Sequence, residues 1–301
     1  MKYLDDLKSE LDYFMKEESR DRDKMIEIIR KDLIGMLKNS ENFSSLTEKI
    51  QLKKTKIQYR TMMWNILLGL GKIDEHDADK YITAYHYLSN SDQRKLLEEL
   101  QRISKAQKEQ KNKTDFQSYC SFLVLFSGFL SHSGATYPLH QPLLTFGQIL
   151  LQNYSYPLAF FSFKQFVEYY APHCYPKKGG KNDDKEAPKL AVQIAYEYEP
   201  QLVAKFKRHN PEYSFSFNHV NSFFTQMKPV DQVSIIFDFI FAFGAFMVIF
   251  IEAGWLYINS DIKDNTEAYN LPDAAAVIKK GIEILKKTKP ELIEKAQSFY
   301  K

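Results

Sequence analysis

Residues 96–102, with the sequence LLEELQR, contain a carboxylate and a guanidinium that could act together. Glu99 and Arg102 are three residues apart, so on a helix they share one face and the carboxylate can hold the guanidinium in place. A guanidinium held in this way is suited to neutralising charge on a phosphoryl group. The same spacing is common on exposed helices, where an ion pair stabilises by less than about 1 kcal/mol. Arg94, beside Asp92, is a nearby competitor.

Most signatures of enzyme classes are absent from the sequence. There is no glycine-rich phosphate loop, so the chain does not itself bind a nucleotide in the P-loop manner. Neither a nucleophile elbow nor an HExxH zinc motif occurs. No two of His132, His140, His173 and Cys174 stand at ligand spacing on one helical face, which favours structural roles for them. We therefore expect no metal and no cofactor bound by the chain itself.

The composition is typical of a large globular protein made of helices. Of the 301 residues, 44% are apolar, and aromatic side chains are abundant, with 23 Phe and 19 Tyr. Glycine and proline number only 11 each, which suits helices joined by short loops better than a sandwich with many turns. The 41 basic and 38 acidic residues leave a net charge of +3, which gives no reason to expect nucleic-acid binding.

Cysteine content and the N-terminal residues bear on the cellular compartment. Cys120 and Cys174 lie far apart, so they provide neither a disulfide framework nor a zinc-site spacing. The chain opens with the charged sequence MKYLDD, which does not resemble a signal peptide. A reducing cytoplasmic location is therefore expected.

Residues 233–258 are almost continuously apolar and long enough to cross a bilayer. Asp238 and Glu252 lie inside this stretch, and each would cost roughly 2.5–3.5 kcal/mol at the centre of a membrane. Gly244 divides the stretch at a natural helix break. A buried helix or helix pair is therefore favoured over a membrane span.

Apolar residues recur at three- and four-residue steps along most of the chain, which predicts an all-α fold. Residues 1–50 are predicted to be charged amphipathic helix, and an apolar helix from Tyr59 is predicted to be terminated by Gly69 and Gly71. Residues 176–188 (PKKGGKNDDKEAP) form the clearest loop, and no segment alternates convincingly like a β-strand. Further helices are predicted at 77–88, 92–105, 116–129, 143–151, 157–170, 190–197, 200–209 and 215–227, with a final pair beginning near Asp273 and Pro290.

Two segments far apart in the chain resemble the TBC domain, the fold of GTPase-activating proteins for Rab-type small GTPases. Residues 60–69 (RTMMWNILLG) are similar to the family's opening motif R-x-x-x-W-x-x-L-L-G. Residues 229–244 (PVDQVSIIFDFIFAFG) resemble its late W-D-x-x-f-x-x-G helix, with Phe237 in place of the usual Trp and Asp238 as the acid. Within the family, this second segment is most similar to the mitotic-exit and spindle-checkpoint branch.

The resemblance covers roughly residues 56–300. It implies a two-lobed TBC-type helical domain at 56–301, with an N-lobe at about 56–176 and a C-lobe at about 188–301. Residues 1–55 are then an extra N-terminal helical extension. We expect this extension to pack on the domain, with a partner-binding role as the alternative.

TBC proteins carry an arginine finger in I-x-x-D-x-x-R and a glutamine finger in Y-x-Q-G. The resemblance implies that Arg102 is the arginine finger, supported by Glu99 in place of the family's Asp, and that Asp238 is a further supporting residue. Gln141 is the candidate glutamine finger, within residues 137–142 (YPLHQP).

The glutamine segment departs from the family pattern. Two extra residues separate Tyr137 from Gln141, and Pro142 replaces the glycine. Proline lacks an N–H, fixes its own φ and is expected to keep Gln141 out of the helical region. His140 is an alternative for the same position.

The resemblance implies a GTPase-activating protein for a Rab/Ras-type small GTPase, with GTP and magnesium carried by that partner. The alternative is a catalytically impaired TBC module that binds a GTPase or an adaptor subunit as a scaffold in a cytoskeletal or vesicle-trafficking assembly. A third hypothesis is that the chain is a purely structural helical protein of a cytoskeletal assembly. The expected location is cytoplasmic, associated with the cytoskeleton or the spindle pole.

Overall fold

A computed structural model describes residues 22–38, 40–52, 55–70, 116–132, 141–154, 156–171, 185–201, 214–262 and 267–300, together with residues 90, 91, 94 and 98. The described residues form an all-α fold apart from one short β-hairpin. This agrees with the helical fold class predicted from periodicity. The predicted helices at 77–88, 92–105 and 200–209 lie wholly or largely outside the described residues.

The N-terminal part combines two helices with a hairpin. In chain order its elements are α1 (Arg22–Met36), a 3₁₀ helix (Ser40–Thr47), β1 (Lys49–Leu52), β2 (Thr55–Gln58) and α2 (Tyr59–Leu68). The antiparallel register pairs Ile50 with Ile57. The sequence-based prediction of helix up to residue 50 without strands was wrong here, because four-residue strands are too short to show a period of two. As predicted, α2 ends at Gly69, which adopts a left-handed conformation with φ 67°.

Three helices rich in aromatic residues form the central part: α3 (Phe116–His132), α4 (Gln141–Asn153) and α5 (Tyr156–Gln165), the last continued by a π-helical turn (Phe166–Tyr170). Their packing includes an edge-to-face pair between Phe126 and Phe163, with ring centroids 5.0 Å apart. Helix α4 begins at Gln141, so Pro142 lies in its first turn. The expectation that Pro142 keeps Gln141 out of the helix was wrong, because a first-turn proline has no intrahelical N–H bond to lose.

The C-terminal part is a helical array followed by a final helix pair. Its elements are α6 (Glu186–Tyr198), α7 (Ser214–Asn221), α8 (Val230–Phe243), α9 (Met247–Ile258), a 3₁₀ helix (Glu267–Tyr269), α10 (Ala274–Lys287) and α11 (Pro290–Ser298). Helix α7 is shorter than the predicted 215–227, because Phe223 and Phe224 adopt positive φ values of 51° and 62°. Asp273 caps α10 by accepting from the Ala276 N–H at 2.9 Å, as the predicted helix start requires.

The long apolar stretch is divided between α8 and α9. Gly244, with φ 106°, ends α8 through its N–H bond to the Ile240 carbonyl. Both helices are buried along nearly their whole length. No helix in the described part of the chain is long and apolar enough to cross a membrane.

Helix α1 belongs to the same hydrophobic core as the rest of the described chain. Its buried hydrophobic residues are Met25, Ile29, Leu33 and Met36. The helix packs against α2 and α8, the two helices that contain the segments with resemblance to the TBC family. Residues 22–36 are therefore packed into the core that the other described helices share.

Candidate functional site

A buried ion pair between Arg60 and Asp238 joins α2 to α8. The guanidinium is bidentate: Nε donates to Asp238 Oδ1 at 2.9 Å and Nη2 donates to Oδ2 at 2.9 Å. Arg60 is 3% exposed and Asp238 is completely buried. Such a pair stabilises only when its hydrogen bonds are complete, since both charges have been removed from water.

Trp64 completes the coordination of the same carboxylate. Its indole Nε1 donates to Asp238 Oδ1 at 2.8 Å. Arg60 and Trp64 are four residues apart on α2, so both side chains lie on the face that meets α8. Burial raises the pKa of Asp238, and the charge and hydrogen bonds of Arg60, with the bond from Trp64, oppose that rise.

Aromatic rings exclude water from this network, which we call the Arg60–Trp64–Asp238 network. The Trp64 ring makes an edge-to-face contact with Phe241 at 5.1 Å and a tilted contact with Tyr154 at 6.0 Å. Because the surroundings are apolar, the guanidinium and the indole N–H form strong hydrogen bonds with the carboxylate.

Two arginines of α1 bind the C-terminal carbonyls of the helices that contain the network. Arg22 donates to the Ile66 and Leu67 carbonyls of α2 at 3.0 and 2.8 Å. Arg30 donates to the Ala242 carbonyl of α8 at 2.5 Å. The last carbonyls of a helix have no intrahelical partner, so cationic donors stabilise them. Helix α1 thus holds both network helices at their C-terminal ends.

The predicted catalytic residues are described only in part. Arg102 and Glu99 lie outside the described residues, as does His140. The backbone of Gln141 opens α4, but its side chain is not among those described. Arg94, the competitor to Arg102, is helical and exposed. Asp238 is buried against α2, so it can act only through the residues that surround it.

A second buried polar pair, His219 with Glu252, joins α7 to α9. His219 Nδ1 lies 3.0 Å from Glu252 Oε2, and the two side chains are 1% and 0% exposed. The imidazole stacks on Phe224, with centroids 5.3 Å apart, and meets the edge of Trp255 at 4.6 Å. Among the described residues, His219 Nε2 and Glu252 Oε1 have no hydrogen-bond partner. The pair is buried among aromatic rings.

Sequence reasoning identified the members of the first network but missed the contact between them. In the sequence, Arg60 and Trp64 belong to a segment that carries the family resemblance, and Asp238 is a charge inside an apolar stretch. A carboxylate at such a position requires a buried cationic or hydrogen-bonding partner, and an arginine inside the apolar α2 was the available signal. His219 was missed entirely, since a single histidine after a phenylalanine-rich stretch has no pattern of its own.

Within the described residues, no group of three or more His, Cys, Asp or Glu side chains could hold a metal ion. Comparison of the chain with family models and with curated proteins finds no match.

Proposed function

We propose that the chain is a TBC-type GTPase-activating protein for a Rab-type small GTPase, acting through Arg102. The observation that supports this proposal best is the Arg60–Trp64–Asp238 network. It joins the two segments that resemble the family, although Arg60 and Asp238 are 178 residues apart in sequence. The residues that carry the resemblance are therefore in contact, as members of one domain should be.

In this proposal the GTPase binds GTP and magnesium, and the chain provides an arginine in trans. The Arg102 guanidinium neutralises charge that develops on the transferring γ-phosphoryl group, which accelerates hydrolysis on the order of 10³–10⁵-fold in arginine-finger systems. Glu99 orients the guanidinium from the same helix face. Gln141 orients the attacking water. The buried network keeps α2 and α8 in register but does not contact the nucleotide.

The proposal is tested with a panel of purified Rab-type GTPases loaded with GTP. Hydrolysis is followed by phosphate release with the chain at catalytic and at equimolar concentrations. The expected result is multiple-turnover stimulation of at least one GTPase. An absence of stimulation across the panel, with no complex formed either, would contradict both the activity and the partner class.

A second candidate function is a scaffold that binds a GTPase or an adaptor without stimulating hydrolysis. The observation that favours it is Pro142, which occupies the first turn of α4 directly after Gln141. In the family pattern a glycine follows the glutamine, so the backbone of this candidate finger is altered. The scaffold predicts a stable complex with GTP-loaded GTPase and an unchanged hydrolysis rate. Multiple-turnover stimulation excludes it.

A further inference from the structure

A groove of about 550 Å³ lies between the C-terminal end of α6 and the turn that joins α10 to α11. Tyr198 and Tyr257 line it and meet edge to face, with ring centroids 5.7 Å apart. Its volume falls within the range of small-ligand sites, which is roughly 300–1,000 Å³. We call it the tyrosine groove.

The two tyrosines already attract cations that belong to the chain. Lys280 Nζ lies 4.3 Å from the centroid of the Tyr257 ring, and Lys287 Nζ lies 5.1 Å from that of Tyr198. Both distances are within the roughly 6 Å range over which a ring face stabilises a cation. Lys280 is only 20% exposed and pairs with Glu283 at 2.6 Å, whereas Lys287 is 63% exposed and lies 3.5 Å from both Glu283 Oε1 and the Tyr198 hydroxyl oxygen. Because its contacts are longer and its side chain is more exposed, Lys287 is the more weakly held of the two lysines.

The two carboxylates that line the tyrosine groove differ in their ion-pair and hydrogen-bond partners. Glu197 pairs with Lys289 at 3.0 Å, and this is an exposed pair of the kind that contributes little. Glu199 is half-buried in the groove wall, and its side chain has no ion-pair or hydrogen-bond partner among the described residues. The tyrosine groove thus combines the Tyr198 ring, which can bind a cation, with the Glu199 carboxylate, which has no cationic partner among the described residues.

We propose that the tyrosine groove binds an arginine side chain of a partner protein, independently of any GTPase. A guanidinium can stack its plane on Tyr198, which Lys287 vacates, while its N–H edge donates to Glu199. An ammonium offers less, because it is a compact, strongly hydrated charge and cannot stack. Lysines of the chain itself already stand nearby and leave Glu199 unpaired, so a further lysine from a partner would gain little.

The test is an NMR titration of the full chain with the peptide acetyl-Gly-Arg-Gly-amide. Matched peptides contain lysine, citrulline or glutamate in place of arginine. Saturable shifts at Tyr198 and Tyr257 are expected with arginine, with roughly tenfold weaker binding of citrulline, which keeps the shape but lacks the charge. Lysine is also expected to bind more weakly than arginine.

Three variants locate the site and distinguish binding from folding. Glu199→Gln should weaken arginine binding roughly tenfold by removing one charge-assisted hydrogen bond. Lys287→Ala should strengthen it a few-fold, because the competing ammonium and its repulsion are removed. Glu294→Gln, on the exposed part of α11 and outside the groove lining, is the control and should bind like the wild type.

The proposal is overturned by any of four results. These are an absence of saturable binding, citrulline or lysine binding as tightly as arginine, tighter binding of the glutamate peptide through Lys287 and Lys289, or wild-type affinity in Glu199→Gln. Thermal melting of each variant shows whether it is folded. Because Lys287→Ala is expected to gain affinity, a fault in folding cannot imitate that result.

Discussion

The Asp238 carboxylate shows how one polar residue organises an apolar core. A buried aspartate is costly unless it is fully hydrogen-bonded, and here Arg60 and Trp64 supply three donors within 2.9 Å of its two oxygens. The need for a partner could be predicted from the sequence, since Asp238 lies inside an almost continuously apolar stretch. The identity of the arginine that pairs with Asp238 could not be predicted, because it depends on the packing of helices that are distant in sequence.

Removal of one partner from this network should be far more damaging than removal of both charges. We expect Asp238→Leu or Arg60→Met alone to destabilise by about 3–5 kcal/mol, because each leaves an uncompensated buried charge or donor set. The double variant should be destabilised by clearly less than the sum. Urea denaturation of the wild type and three variants measures this double-mutant cycle. Additive effects would contradict the direct coupling of the two side chains.

Glu283 provides a pH-dependent test at the same scale. Hydrogen bonds from Lys280 and then Tyr198 lower the pKa of Glu283 to about 2 from its ordinary 4.5. A carboxyl group whose folded-state pKa is depressed stabilises the fold above its unfolded pKa, and that stabilisation is lost as the pH falls toward the folded value. Carbon-13 NMR titration should therefore find Glu283 ionised at about pH 4.

The lysine that lowers this pKa can be tested directly. Lys280→Met should return the pKa of Glu283 toward 4.5, because the hydrogen bond from the Lys280 ammonium is lost. Lys295→Met, on α11, is the matched lysine control and should leave the titration unchanged. An unshifted Glu283 pKa in Lys280→Met would show that this lysine is not the cause.

At the scale of elements, several helix ends could be predicted from local residues, whereas features without such residues could not. The end of α2 at Gly69, the break at Gly244 and the start of α11 at Pro290 all follow from residues with fixed backbone preferences. The β-hairpin, the early end of α7 at Asn221 and the π-helical turn from Phe166 do not. None of those three features is marked in the sequence by a residue with a fixed backbone preference.

The close crossing of α9 and α10 can be tested by the addition of one methyl group. A Cβ added at Gly281 would lie 2.6 Å from the Phe250 carbonyl oxygen, and one at Gly254 would lie 2.5 Å from that of Val277. These contacts are with backbone atoms, so the helices must separate. Gly281→Ala should destabilise by about 1–3 kcal/mol, although alanine is the better helix former.

The control for this substitution is Lys279→Ala, on the exposed part of the same helix. It should change the unfolding free energy by no more than about 0.5 kcal/mol. Denaturation of both variants compares them with the wild type. Equal stability of Gly281→Ala and the wild type would show that the two helices are not held at this distance.

At the scale of the whole molecule, α1 lies before the region that the resemblance covers, yet it packs against α2 and α8 within that region. Arg22 and Arg30 bind the ends of α2 and α8, and the apolar face of α1 enters the common core. The sequence indicated an amphipathic helix here but not what it packs against. Periodicity identifies a buried face, whereas the partner of that face depends on the tertiary arrangement.

The residues of the candidate site could be predicted only from their similarity to the motifs of the family. Arg102 and Glu99 follow from a seven-residue pattern that also occurs on ordinary exposed helices. Gln141 follows from a turn whose spacing departs from the family pattern. Neither prediction depends on which residues are buried or on how the helices pack.

The most direct test of the central claim is the rate of GTP hydrolysis by a responsive Rab-type GTPase with Arg102→Ala, compared with the wild type and with Arg94→Ala. Arg94 is an exposed arginine of the same segment and serves as the matched control. We predict that Arg102→Ala loses stimulation by on the order of 10³-fold or more while still binding the GTPase, and that Arg94→Ala retains it. Equal stimulation by Arg102→Ala and the wild type would contradict the account.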